Sequence, residues 1–170
     1  MKKRPESNEY NPYYETYIGK VGDGDILSIL SQQSKTIPAF FQGLAAKHWD
    51  YRYANDKWTI KEVLLHIIDA ERVFAYRALR VGRHDTTPLP GFDQDPFVLY
   101  SNANERSPAS LLAEYAAVRE ASLQLFANLP ADAWEQLGRA SDSPISPLAL
   151  AYIIAGHEVH HVKIIKERYL

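Results

Sequence analysis

Apolar residues along most of the chain recur every three or four positions, the spacing of one face of an α-helix. The strict alternation that marks a half-buried β-strand is nearly absent. Four helical stretches stand out after residues 1–22, which are rich in tyrosine, glycine and asparagine and are predicted as an irregular leader. The pattern predicts an all-α protein whose single domain, residues 23–170, is an antiparallel four-helix bundle.

Local signals indicate where the first two helices begin. The first is expected to open at Asp23 or Asp25. Pro38 is expected to kink or interrupt it, because proline lacks the amide donor and clashes with the preceding turn. The second helix opens at the capping box Thr59–Glu62, in which each side chain satisfies a free amide of the first turn, and runs to about Arg80.

The last two helices each begin with a serine followed by proline, a cap and a preferred first helical residue. The pair at 107–108 opens a third helix that runs to about Asn128, and the pair at 146–147 opens a last helix that reaches the C-terminus. Residues 81–106 are predicted as a long loop, of a kind that is usually functional or mobile inside a compact domain. Residues 129–145 are predicted as a second connector.

Composition narrows the class of protein. The chain has 170 residues, of which 46% are hydrophobic and 24% charged, as expected of one globular domain. A net charge of −2 shows no electrostatic footprint for nucleic acid. With no cysteine, disulfides, thiolate metal sites and cysteine nucleophiles are excluded. The basic start leads into no apolar stretch, and no run is long enough for a membrane span, so a cytoplasmic protein with neither membrane nor nucleic-acid partners is predicted.

Three histidines fall on apolar helix faces when residues are placed at 100° per position. His157 and His161 lie in the middle of the apolar stripe of the last helix, and His66 lies on the shoulder of that of the second. A buried imidazole without a hydrogen bond costs about 1–3 kcal/mol, so a shared divalent metal is an economical partner. Three neutral imidazoles leave coordination positions open, as in catalytic rather than structural metal sites.

Other metal motifs overlap the same residues. The run from His157 to His161 satisfies the H-E-x-x-H pattern, with Glu158 as the general base of a zinc peptidase. The extended form of that motif would need glycine and histidine where the chain has Ile164 and Glu167. A di-iron bundle needs a second E-x-x-H element, which the second helix does not have. His160 competes with His161 as a ligand, and His161 is favoured because it points closer to His157.

Two charged residues also point inward, Glu71 on the second helix and Arg119 on the third. A lone buried charge is prohibitive, so they are predicted to pair or to contact a polar cavity. In the functional alternative, Arg119 or Glu71 lines the cavity and orients an anionic substrate. Glu158 or Glu71 is a candidate proton acceptor or a partner of a ligand imidazole. Tyr53 and Trp58 are candidates to stack on a substrate, or they cover the end of the bundle.

Two stretches resemble known signatures. The run from Tyr51 to Arg72, with Lys57-Trp58-Thr59-Ile60-Lys61-Glu62-Val63 inside it, resembles the second-helix signature of the DinB/YfiT-like superfamily. The run from Ala155 to His161 resembles the last-helix signature of the same superfamily. The resemblance covers roughly residues 20–170 and includes the long crossover between the second and third helices.

The resemblance implies a four-helix bundle that holds a metal on His66, His157 and His161, with zinc or nickel foremost and iron or manganese as alternatives. Characterised relatives join a low-molecular-weight thiol (bacillithiol, mycothiol or glutathione) to an electrophile, or are isomerases that use such thiols. Many other members are described as metal-dependent hydrolases, and many are dimers. The expected function is therefore transfer of a thiol co-substrate to a small electrophilic substrate by a homodimer. The alternatives are a metal-dependent hydrolase and a non-catalytic metal-binding or ligand-binding stress protein.

Overall fold

Four long helices occupy the four stretches that the apolar spacing marks. The computed structural model describes residues 3–170. The helices are α1 (Glu15–Ile18), α2 (Ile26–Gln42), α3 (Ile60–Gly82), α4 (Gln94–Leu99), α5 (Pro108–Ala127) and α6 (Pro147–Arg168), and the strands are β1 (Gly138–Ala140) and β2 (Ser143–Ile145).

Side-chain caps begin each long helix where the sequence predicts. The Asp25 carboxylate accepts the amide proton of residue 28 at the start of α2. Thr59 and Glu62 form the complete capping box of α3. Ser107 and Ser146 accept the amide protons of residues 110 and 149. These bonds satisfy amides that a helix leaves unpaired, which is why the starts could be read from the sequence.

The expected interruption at Pro38 does not occur. Helix α2 continues through Pro38 to Gln42. Ile37 and Phe41, which flank the proline, are both buried. Packing of an apolar face contributes most of the stability of a helix in a protein, so it offsets the hydrogen bond that proline cannot donate.

The leader contributes to the core. It contains α1, whose four residues are too few to show a helical period in the sequence. Tyr17, Ile18 and Val21 are buried there. The Arg4 guanidinium donates to the carbonyl oxygens of Ile18 and Val21, at 2.7 and 2.9 Å, and so ties the start of the described chain to the end of α1.

The two connectors contain short elements that are tied together. Helix α4 lies in the connection between α3 and α5, and β1 and β2 form an antiparallel hairpin in the connection between α5 and α6. Leu89 joins this hairpin, because its amide donates to the Arg139 carbonyl at 2.9 Å and its carbonyl accepts from the Ser141 amide at 3.0 Å. The long connection after α3 is therefore anchored to the hairpin in its first half, before α4.

The four long helices pack in a ring, in which each contacts two others. Helix α3 contacts both α5 and α6, and α2 packs against the same two helices. The apolar core consists of two clusters of buried residues. Along α6, one cluster ends at Ala155 and the other resumes with its buried members at Ile165. His157, Glu158 and His161 occupy positions between the two clusters. Within residues 3–170, no helix combines the length and apolar character needed to cross a membrane.

Candidate metal centre

Three histidines meet between α3 and α6. The Nε2 atom of His157 lies 3.0 Å from the Nε2 of His66 and 3.0 Å from the Nε2 of His161. Ring nitrogens bound at about 2.0–2.1 Å to one ion are separated by about 3 Å, so the spacing fits ligands of a shared cation. One ligand atom from each histidine lies within 4.8 Å of the others, and the group could hold a metal ion.

Burial keeps these imidazoles neutral. It lowers the pKa of His66 to about 4. The pKa values of His157 and His161 are also lowered far below the usual range, first by burial and then by the charges of neighbouring histidines. A neutral imidazole offers a lone pair to a metal, whereas a protonated one does not. The chemistry of the donor set therefore fits a divalent cation at neutral pH.

Aromatic rings surround the three histidines. The ring of Tyr17 meets that of His157 edge-on at 5.1 Å between centroids, and the Trp58 ring is tilted against His66 at 4.9 Å. These contacts limit the orientations open to two of the three imidazoles. His160 lies outside the group, and its ring contacts Tyr17 and His161.

A buried ionic cluster joins α5 to the two helices that carry the histidines. The Arg119 guanidinium, fully buried, donates from Nε and Nη2 to the two carboxylate oxygens of Glu71, at 2.9 and 2.8 Å. The same Nη2 donates to Glu158 at 2.8 Å, and the Tyr115 hydroxyl donates to Glu158 at 2.9 Å. The predicted pairing of Glu71 with Arg119 is confirmed. We call Glu71, Tyr115, Arg119 and Glu158 the arginine cluster.

The arginine cluster gives Glu158 partners of its own. Its side chain is completely buried and points to Arg119 and Tyr115. Burial raises the pKa of Glu158, and the Arg119 charge opposes that rise. The catalytic roles predicted for Glu158 and Glu71, and the substrate contact predicted for Arg119, stay predictions. In this structure both carboxylates are bonded to Arg119.

Two cavities border the histidines on different sides. The larger, of about 410 Å³, is bordered by Tyr53, Lys57, Trp58, Asp95, His161 and Tyr169, and we call it the tryptophan cavity. The smaller, of about 160 Å³, is bordered by Tyr13, Tyr14, Tyr17, Phe74, Phe92, His66 and His157, and we call it the tyrosine pocket. The structure thus places Tyr53 and Trp58 at a cavity next to a candidate ligand. Tyr53 also packs edge-on against Tyr169 at 4.9 Å, so it covers the bundle end as well.

Comparison with known proteins agrees with this architecture. Residues 29–165 match the family model of the DinB superfamily. The chain belongs to the DinB superfamily. Among solved structures, this DinB chain is similar to YfiT from Bacillus subtilis, with a TM-score of 0.69 and 15% identity over 97% of this chain and 90% of the other. YfiT is described as a probable metal-dependent hydrolase with an unusual four-helix bundle topology, and the likeness shows a shared fold. None of the curated proteins matches the chain.

The sequence did not indicate the tyrosines that lie beside the candidate metal centre. Tyr13, Tyr14 and Tyr17 lie in the leader, before the residues that the family model matches. One residue, Gly156, directly before His157, could have indicated that another segment packs closely against α6. A Cβ atom at Gly156 would lie 2.1 Å from the backbone oxygen of Tyr17, so only glycine lets α1 approach α6 there. A glycine inside a helix usually has a packing reason of this kind.

Proposed function

We propose that this protein is a metal-dependent enzyme in which His66, His157 and His161 hold a divalent cation. The observation that carries the proposal is the convergence of three neutral ring nitrogens beside two cavities. Zinc or nickel is the expected metal, with iron or manganese as alternatives. Three imidazole ligands leave positions for water or substrate, which a structural site would fill with protein ligands.

The reaction that we place first is transfer of a low-molecular-weight thiol to a small electrophile. A bound divalent cation lowers the pKa of a coordinated thiol or water, which supplies a nucleophile at neutral pH. Because the chain has no cysteine, the thiol must be a separate co-substrate. The tryptophan cavity supports this assignment, since it adjoins His161 and is large enough for a small peptide-like molecule. Polar groups at its edge include Asp95 and the Lys57 ammonium, which is paired with Asp56 at 2.7 Å.

Hydrolysis is the second candidate, and the observation that favours it is the description of YfiT as a probable metal-dependent hydrolase. In this version water takes the place of the thiol, and the substrate occupies the same cavities. Neither version uses the arginine cluster as an acid or base. We assign Arg119, Glu71 and Glu158 to positioning, because their bonds fix the spacing of α3 and α6, which carry the ligands.

The test begins with the metal content of the purified protein, followed by loading with zinc or nickel. Loaded protein is then assayed with 1-chloro-2,4-dinitrobenzene and each of three thiols (glutathione, bacillithiol and mycothiol), and separately with 4-nitrophenyl acetate and no thiol. Metal-dependent formation of the thioether supports thiol transfer, and metal-dependent release of 4-nitrophenol without thiol supports hydrolysis. His161→Ala should abolish either activity, and His160→Ala should retain it.

Two results would overturn the proposal. Protein that binds no divalent metal with micromolar or better affinity has no metal centre. Protein that binds metal on the three histidines but turns over neither substrate class is a binding protein, which is the non-catalytic alternative.

The topology of the bundle, the oligomeric state and the location of the protein are also part of the proposal. We propose an antiparallel bundle in which the connection between α3 and α5 crosses from one helix pair to the other, and a homodimer that acts in the cytoplasm. Sedimentation equilibrium of the metal-loaded protein measures the mass: a value near twice the 19.3 kDa of one chain supports the dimer, and a single-chain mass contradicts it.

A further inference from the structure

We propose that the tyrosine pocket is the subsite for a single aromatic ring of the substrate, and that the Tyr17 hydroxyl donates a hydrogen bond to an oxygen substituent on that ring. The inference deepens the proposed function, on which it rests, by naming the class of substrate that the same metal site takes.

The aromatic walls of the pocket suit a flat ring, and Gln94 and Ser141 add polar groups to its lining. Phe74 meets Tyr14 edge-on at 6.0 Å and Phe92 at 6.5 Å, so neighbouring walls stand nearly perpendicular to one another. Aromatic rings prefer edge-to-face or offset contact with a further ring, which this arrangement offers on more than one side. The volume of about 160 Å³ is close to that of an apolar cavity of about 150 Å³ that binds benzene. The pocket therefore has room for one ring.

The hydroxyl groups of Tyr13 and Tyr17 provide a donor inside the pocket. They lie 3.1 Å apart, within hydrogen-bonding distance. In such a pair one hydroxyl donates to the other, and the second keeps its proton for another acceptor. Tyr13 is 61% exposed and can reach water, whereas Tyr17 is 8% exposed. Either hydroxyl can donate in this pair, so with the pocket empty Tyr17 can give its proton to Tyr13. When Tyr13 donates instead, the buried Tyr17 proton is left for an acceptor on a bound molecule.

The pocket is held in place from two sides. On the outer side, the buried Arg77 donates to the Pro90 carbonyl at 2.8 Å and to the Ser141 hydroxyl at 3.2 Å, and its guanidinium lies over the Phe92 ring at 5.7 Å. On the inner side, Gly156 lets the backbone of Tyr17 touch α6. A preformed subsite loses less free energy on binding than one that must be ordered.

The pocket also lies next to the candidate ligands. His66 and His157 border it, and the Tyr17 ring contacts His157. The tryptophan cavity touches His161 instead, and the consecutive residues Gln94 and Asp95 of α4 border one cavity each. A ring in the tyrosine pocket and a polar reactant in the tryptophan cavity would therefore approach the same cation from different sides.

The probe for this inference is 4-nitrophenol, a single ring with a chromophoric oxygen. Its binding to zinc-loaded protein is measured by absorbance titration for the wild type, for Tyr17→Phe and for Tyr14→Phe. Tyr17→Phe keeps the ring against His157 and removes the donor, and it should weaken binding about ten-fold, as expected for a hydrogen bond to a charged oxygen. Tyr14→Phe is the matched control in the same pocket and should change the dissociation constant less than two-fold.

Metal content is measured on the same samples, which separates two kinds of failure. Protein without zinc would contradict the proposed function. Zinc-loaded protein that binds no 4-nitrophenol, or that loses equal affinity in both tyrosine variants, would overturn the inference and leave the metal centre standing. Ala70 of α3 also borders the pocket, and a third variant, Ala70→Leu, would fill it from that side. Folded Ala70→Leu protein with unchanged affinity would show that the probe binds elsewhere and would also overturn the inference.

Discussion

Two buried polar groups share α3 and α6 and differ in how their atoms are satisfied. In the arginine cluster, one guanidinium binds two carboxylates, and a tyrosine hydroxyl donates to one of these, so each charged side chain has a partner of opposite charge. In the histidine group, the ring nitrogens that converge are chemically alike and meet chiefly one another. Three converging nitrogens of neutral rings cannot all be paired by one another's protons. The charges of the first group are thus paired within the chain, whereas the second group presents converging nitrogens that could hold a metal ion.

The two groups are joined at one peptide bond. His157 and Glu158 are consecutive, so one turn of α6 presents a ring nitrogen to the histidine group and a carboxylate to Arg119. Substitutions in each group therefore test whether the arginine cluster stabilises the fold and whether the histidine group binds a metal.

The largest loss of stability is expected from Arg119→Met. It leaves two carboxylates buried with no cation beside them, and breaking a buried pair in this way costs about 3–5 kcal/mol of the free energy of unfolding. Urea denaturation measures the loss. Arg72→Met is the control, because Arg72 pairs at the surface with Asp69 and Glu114 and should cost less than about 1 kcal/mol. Equal effects of the two substitutions would contradict the distinction between them.

Metal binding should stabilise the protein through the histidines alone. Zinc at about 100 times its dissociation constant should raise the free energy of unfolding by about 2.7 kcal/mol. His157→Ala should abolish this rise because it removes the nitrogen that lies between the other two. His160→Ala is the control and should keep it. A zinc-dependent rise that survives in His157→Ala would show that the cation binds elsewhere.

A third substitution, Gly156→Ala, acts on the contact between α1 and α6. The added Cβ would meet the Tyr17 backbone at 2.1 Å, so α1 must shift, at a cost of about 1–3 kcal/mol. At Gly82 the nearest atom to an added Cβ is the end of the Leu129 side chain, at 2.8 Å, and this flexible group can move away. Gly82→Ala should therefore lower the free energy of unfolding by less than Gly156→Ala does. Thermal unfolding compares the two, and a stabilised Gly156→Ala protein would refute the close approach.

The smallest loss of stability is expected from Glu71→Gln. The arginine cluster holds two carboxylates for one guanidinium, so one charge can be removed while Arg119 keeps Glu158 as its counter-ion. The lost charge-assisted bonds should cost about 1 kcal/mol, with metal content unchanged. Because the side chain is proposed to position α3 rather than to move protons, turnover per bound metal should also persist. A loss of turnover of a hundred-fold or more would instead support the catalytic role predicted for Glu71.

Much of the fold was predictable because its signals are local. Caps at Thr59, Ser107 and Ser146 and the helical spacing of apolar residues gave the starts of three long helices within one residue. The pairing of Glu71 with Arg119 followed from angular position and the cost of buried charge. The histidine group was predictable for the same reason, since three imidazoles on apolar faces need a common partner.

Other features depend on contacts that the sequence does not display. The continuation of α2 past Pro38 depends on the packing of Ile37 and Phe41. The position of Glu158 depends on which helix faces it, and the E-x-x-H spacing alone could not give the bond to Arg119. Helix α1 is shorter than two turns, so its tyrosines carried no periodic signal.

The position of α1 bears on whether a substrate found for one member of the superfamily can be assigned to another. The three tyrosines of the tyrosine pocket precede residue 29, where the match to the family begins. All three histidines lie within the match. The match to the family therefore covers the three histidines but not the tyrosines of this pocket. Chains of this superfamily should first be compared at the residues that pack where Tyr13, Tyr14 and Tyr17 pack here, before a substrate found for one is assigned to another.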